Sequence, residues 1–204
     1  MDKMIENKSE KHHYTRSYRL LHWIMAGGFI SLLVAGQQFN LDLTDSYKMA
    51  GLRYHSSIGV IILASVLGLL IKRFLLRHKR PVANMTLLKK FLAHAVQLSL
   101  YSIAILLPVS GLLTAYYSDT PTALFGTFDL SQFTSDPGMF KDWRQVHEWA
   151  TFAAIALALS HAGAAMYHHL IVKDNVLTSM IDLDGIIKWI PFIKLPARKF
   201  INEK

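Results

Sequence analysis

The chain contains no cysteine. That absence excludes disulfides, thiolate-ligated iron–sulfur clusters, covalently attached haem and cysteine zinc sites. Any cofactor has to be held through His, Met or carboxylate, or without covalent bonds. Charge is also scarce, at 18% of residues against about 25% in ordinary soluble domains. The scarcity is uneven: residues 20–41, 54–71, 91–118 and 149–172 contain no Lys, Arg, Asp or Glu. No nucleic-acid partner is expected, and membrane lipid is the expected surrounding.

What is abundant is apolar. The chain of 204 residues is 52% hydrophobic and has a mean hydropathy of +0.27. Four apolar stretches predict helices over about residues 18–39, 52–71, 91–117 and 143–172, each near the ~20 residues that a bilayer core requires. The fold class implied is all-α, an integral membrane four-helix bundle. It is flanked by a polar arm over residues 1–17 and a tail over 176–204, leaving 18–175 as the membrane domain. The first nineteen residues are polar and mixed in charge, so no secretory signal is expected there. The tail (IDLDGIIKWIPFIKLPARKF) mixes Ile, aromatics and Lys, which suits either the cytoplasmic membrane interface or a loosely ordered tail.

Basic residues orient the bundle. The first nineteen residues hold five Lys and Arg, the connection 72–90 seven and the tail from Lys173 six, whereas the other two connections with their helix starts hold two each. The positive-inside rule then places both termini in the cytoplasm, N-in and C-in, in a bacterial inner membrane.

Ten histidines remain to be explained. His12, His13 and His78 lie in cytoplasmic segments and read as solvated surface. His22 lies near the cytoplasmic end of the first helix, and His55 near the periplasmic end of the second. His94 lies near the cytoplasmic end of the third. On the fourth helix, His147 is near the periplasmic end and His161 lies fourteen residues on. Fourteen residues rise roughly 21 Å and leave two side chains only ~40° apart in azimuth. His55 and His147 therefore share one depth, and His22 and His161 the other. Two facing imidazoles at one depth suit a six-coordinate, non-covalent haem. The competing readings are interior hydrogen bonding, a four-ligand zinc site and a His relay in a proton or metal transporter. Spacing alone leaves His94 open as a ligand at the His22 level.

Supporting residues surround these positions. Gly59 lies one turn after His55 on its face, where a flat macrocycle could approach. Arg53 is near His55, Arg144 near His147, and Arg16 and Arg19 near His22, each able to pair with an anionic haem propionate. Phe125, Phe128, Phe133 and Phe140 populate the long third connection, as a lid, a docking face or interfacial packing. Arg53, Lys141 and Arg144 there could attract a small anion.

The chain resembles the bacterial cytochrome b561 family of dihaem, four-helix membrane cytochromes. The likeness runs from about residue 14 to 180. It rests on RLLHW, YHSSIG, FLAHAVQLSLY with LLPVSGLL, FGTFDL, VHEW and HAGAAMYHHLIVKDNVLTSM. The resemblance implies two haem b groups with bis-His ligation, one between His22 and His161 and one between His55 and His147, and it demotes His94. It implies electron transfer across the inner membrane with ubiquinone or menaquinone as partner. A quinone site would use His168, with Tyr167, His169 and Lys173 nearby. One departure is Gln97, where some relatives carry a histidine. Superoxide is the outer donor of one family member, so a superoxide:ubiquinone oxidoreductase and a haem anchor for a periplasmic redox partner are the alternatives. The oligomeric state is not legible in the sequence.

Overall fold

A computed structural model of the protein describes residues 14–75, 86–174 and 176–181. His12, His13, His78 and most of the arm and tail discussed above lie outside the described residues. Four long helices form: α1 (Arg16–Gly36), α2 (Asp45–Leu75), α3 (Leu87–Tyr116) and α4 (Pro137–Tyr167). Each contains a stretch long and apolar enough to cross a membrane. The all-α membrane bundle expected from hydropathy is the observed architecture.

The helices overrun their apolar windows, and polar capping explains how. The start of α4 comes earlier than residue 143, because Asp136 caps it. Its carboxylate accepts from the Gly138 and Met139 amides at 2.9 and 3.0 Å, and Pro137 occupies the first turn, where no amide hydrogen is needed. α2 starts at Asp45 rather than near residue 52. Asp45 sits at its positive end and Lys72 and Arg73 in its last turn, matching the helix dipole at both termini. Hydropathy registers only the lipid-immersed part of such helices.

The third connection contains a small antiparallel hairpin, β1 (Ala123–Leu124) with β2 (Phe128–Asp129). A three-residue turn, Phe125, Gly126 and Thr127, joins the strands, and Phe125 and Gly126 both have positive φ, 52° and 77°. The glycine takes that conformation freely, whereas the phenylalanine is strained. The hairpin rests on α2, with the Phe125 amide donating to Ser57 Oγ at 2.8 Å. Beneath it, the Asp129 carboxylate accepts from the Thr122 and Ser131 amides and the Ser131 hydroxyl at 2.8, 3.0 and 2.9 Å.

At the opposite end, α4 runs into a wide π-turn (His168–Val172), which Lys173 ends with a φ of 58°. A short helix α5 (Val176–Met180) follows, started by Asp174, which accepts from the Val176 amide at 3.0 Å. Trp23 Nε1 donates to the Met180 carbonyl at 3.0 Å and ties α5 to α1.

Neighbours in sequence pack together: α1 on α2, α2 on α3 and α3 on α4. Gly28 permits the first contact, since a Cβ there would collide with the Ile62 side chain. Small residues at a helix interface are how membrane bundles bring backbones close. Ile62, Val66 and Leu69 of α2, Ala115 of α3 and Ala150 and Ala154 of α4 are buried apolar positions among the described residues. Large side chains such as Ile30, Val34, Leu98 and Leu159 face outward, as expected where lipid replaces water. The backbone of α4 does not close on α1 or α2 as it does on α3. Those are the helices whose histidines were expected to face it.

Candidate functional site: two stacked histidine pairs

The imidazoles of His22 on α1 and His161 on α4 lie with ring centres 6.3 Å apart and planes at 65°. Those of His55 on α2 and His147 on α4 lie 6.2 Å apart at 73°. One helix thus contributes a ring to each pair, at two depths, as the fourteen-residue spacing predicts. The hairpin marks the His55–His147 end of the bundle, and α5 the His22–His161 end.

The separations carry chemical information. Two imidazoles joined by a direct N–H···N bond of roughly 2.9 Å would have ring centres only about 5.2 Å apart. An imidazole nitrogen bound to a first-row metal stands roughly 2.0 Å from it. The ring centre lies a further ~1.1 Å back, for ring bonds close to a peptide C–N length. Two rings on opposite sides of one ion are then about 6.2 Å apart, by the same bond lengths. Both pairs have the wider spacing.

Protonation at the hairpin end also suits ligation. His147 Nδ1 lies 3.0 Å from the Leu107 carbonyl, which can only accept, so Nδ1 carries the hydrogen and Nε2 the lone pair. The ring packs against Gly111, where a Cβ would come within 3.1 Å of His147 Cε1. His55 Nδ1 is buried with no hydrogen-bond partner, although the Leu32 backbone lies close to the imidazole. Gly59, one turn along from His55, has nothing within 4 Å of where its Cβ would stand. An orphaned buried nitrogen and an unencumbered glycine beside a pair of metal-spaced imidazoles fit a flat, metal-centred group. Among the described residues, no cluster of three or more His, Cys, Asp or Glu could hold a metal ion. Two protein ligands per ion match a porphyrin, whose four nitrogens complete the coordination.

The remaining expected residues divide. His94 is exposed on α3, with Nδ1 2.6 Å from the Lys90 carbonyl, and lies outside both ring pairs. Arg19 is half-buried three residues before His22, and Arg53 is exposed two residues before His55. The Arg53 charge lies beside Asp129, whose carboxyl is held below its ordinary range. Its partial desolvation works against this, but three hydrogen bonds and Arg53 outweigh it. Arg144 reaches Glu148 at 3.4 Å, an exposed ion pair within α4. His168 Nδ1 lies 2.6 Å from Asp174 Oδ2, and Lys173 is exposed beside them. Phe125, Phe128 and Phe133 are all exposed near the hairpin, with Phe128 and Phe133 ring centres 5.8 Å apart. Sequence reading missed Leu107, Ser110, Gly111 and Asp174. A Pro-x-Ser-Gly run inside an apolar helix was the available signal for the α3 residues.

Residues 13–182 match the family described as prokaryotic cytochrome b561, most of the chain. The chain belongs to that family. It is similar to cytochrome b561 homolog 2 of Escherichia coli (strain K12), at 25% identity over 162 residues, covering 78% of this chain and 86% of the relative. It is also similar to cytochrome b561 homolog 1 of the same organism, at 34% identity over 91 residues, covering 44% of this chain and 51% of that relative. Membership makes this a multi-pass bacterial membrane protein of a b-type cytochrome family. Transmembrane electron transfer through b-type haem is the activity this implies, and lipid and a redox partner are its surroundings.

Proposed function

We propose that this cytochrome b561 family member carries electrons across the bacterial inner membrane through two bis-histidine haem b groups, exchanging them with quinone at the His168 end. The observation that carries the reading is the pair of metal-spaced imidazole contacts on one helix, His22–His161 and His55–His147. Haem bound at the two positions supplies the one-electron chemistry. His22 with His161 and His55 with His147 would hold the irons, Gly59 would leave room for a macrocycle, and Arg19, Arg53 and Arg144 would be available to pair with propionates. Arg144 would exchange its Glu148 partner for a propionate, a small cost for an exposed pair.

Both termini lie in the cytoplasm on this reading, because Lys and Arg concentrate in the arm, the second connection and the tail. The His22–His161 end is then the cytoplasmic one. There His168, bonded to Asp174, can hold or pass a proton when quinone takes up electrons, with Lys173 as a neighbouring cation.

The test is haem quantitation and an optical spectrum on purified wild type and single His→Ala variants. Wild type should hold two haems, and each of His22→Ala, His161→Ala, His55→Ala and His147→Ala one fewer. His94→Ala should keep both. A His94→Ala protein that loses a haem while His22→Ala keeps both would overturn the assignment.

A further inference from the structure

His147 is held differently from the other three paired imidazoles. Its Nδ1 lies 3.0 Å from the Leu107 carbonyl and 3.1 Å from Ser110 Oγ, and the Ser110 hydroxyl donates to the same carbonyl at 2.9 Å. The Leu107 oxygen cannot donate, so the Nδ1 hydrogen points into a cradle of two acceptors on α3. Ser110 is fully buried, so water does not compete for these groups. A hydroxyl that is itself donating is also a better acceptor, so the three groups reinforce one another. Gly111 brings α3 against the ring of His147. Neither His22 nor His161 has a side-chain hydrogen bond among the described residues, and His55 Nδ1 is buried without one.

We infer that Ser110 is a positioning residue for His147 and that, through it, the hairpin-end haem has the lower reduction potential of the two. The inference rests on the two-haem, bis-histidine reading above. Hydrogen-bond donation from the far nitrogen raises the basicity of a ligating imidazole. A more basic axial ligand favours the oxidised iron and lowers the potential. With no such bond at the His22–His161 pair, the downhill direction for an electron runs from the hairpin end toward the α5 end. With the termini in the cytoplasm, that direction is inward.

The test is a potentiometric titration of the full-length, haem-loaded protein, followed optically, with the low-temperature electron paramagnetic resonance spectrum as a second readout. Wild type should titrate in two waves. Ser110→Ala fits the buried site and should move the lower wave upward, leaving the higher one in place, with altered resonance positions for that haem alone. Ser110→Cys keeps a weaker acceptor and should give a smaller shift in the same direction. The inference is overturned if neither wave moves, if both move equally, or if the higher wave is the one that responds. A His147→Ala protein that retains two haems overturns the underlying ligand assignment instead. Loss of a haem from His147→Ala with fixed potentials in Ser110→Ala removes only the role given to Ser110.

Discussion

Gly59→Ala separates what the protein requires from what its cofactor requires. A methyl at this position meets nothing within 4 Å in the polypeptide. Alanine in a helix interior is favoured over glycine by about 1 kcal/mol, so the haem-free fold should be unharmed or slightly stabilised. A macrocycle held between His55 and His147 would cross the same face of α2, one turn from His55. There the added methyl overpacks the contact, at a cost of about 1–3 kcal/mol. At 1.4 kcal/mol per tenfold, this corresponds to about 5- to 150-fold weaker retention of one haem. Haem transfer to an excess of a competing haem-binding protein, followed by absorbance, measures the retention. Thermal unfolding of haem-free protein measures the other half. The reasoning fails if Gly59→Ala holds both haems as tightly as wild type. Gly111→Ala is the contrasting control, since its Cβ would press on His147 itself, 3.1 Å from Cε1.

Two further outcomes follow from the packing and the hairpin. Gly28→Leu should destabilise the bundle by about 1–3 kcal/mol by overpacking against buried Ile62, and Ile62→Ala in the same chain should recover part of the loss; denaturation in mixed detergent measures both. The Asp129 carboxyl sits below its ordinary value of about 3.9 when folded, so its contribution to the loop is fully present above that value. The contribution is lost as pH falls through the lower, folded value. Amide exchange at Thr122 and Ser131 should therefore accelerate in acid, and Asp129→Asn should make it fast already at neutral pH. Unchanged protection in that variant would remove the carboxylate from its place beneath the hairpin.

Much of the architecture was legible before any coordinate, because a bilayer simplifies the rules. Charge-free windows reported the four spans, and helical periodicity alone put His147 and His161 on one face at two depths. Helix ends were less legible: Asp136 and Pro137 carry the start of α4 beyond its apolar window, as polar caps outside the lipid do not register in hydropathy. The hairpin was hidden in the long third connection, in a turn that puts a phenylalanine at positive φ, against local preference.

Sequence alone determined the class of protein, the number of spans and the levels at which imidazoles lie, since each follows from local properties: apolarity, helical rise and twist. Only tertiary structure decided what surrounds each imidazole. The cradle of His147 comes from Leu107 and Ser110, 40 and 37 residues away along the chain. The partner of His168 is Asp174, brought round by a π-turn and a left-handed lysine. Which helices touch, and which are held apart at the distance of two imidazoles, is a property of packing. Hydrogen bonds between groups far apart in sequence exist only once that packing has formed.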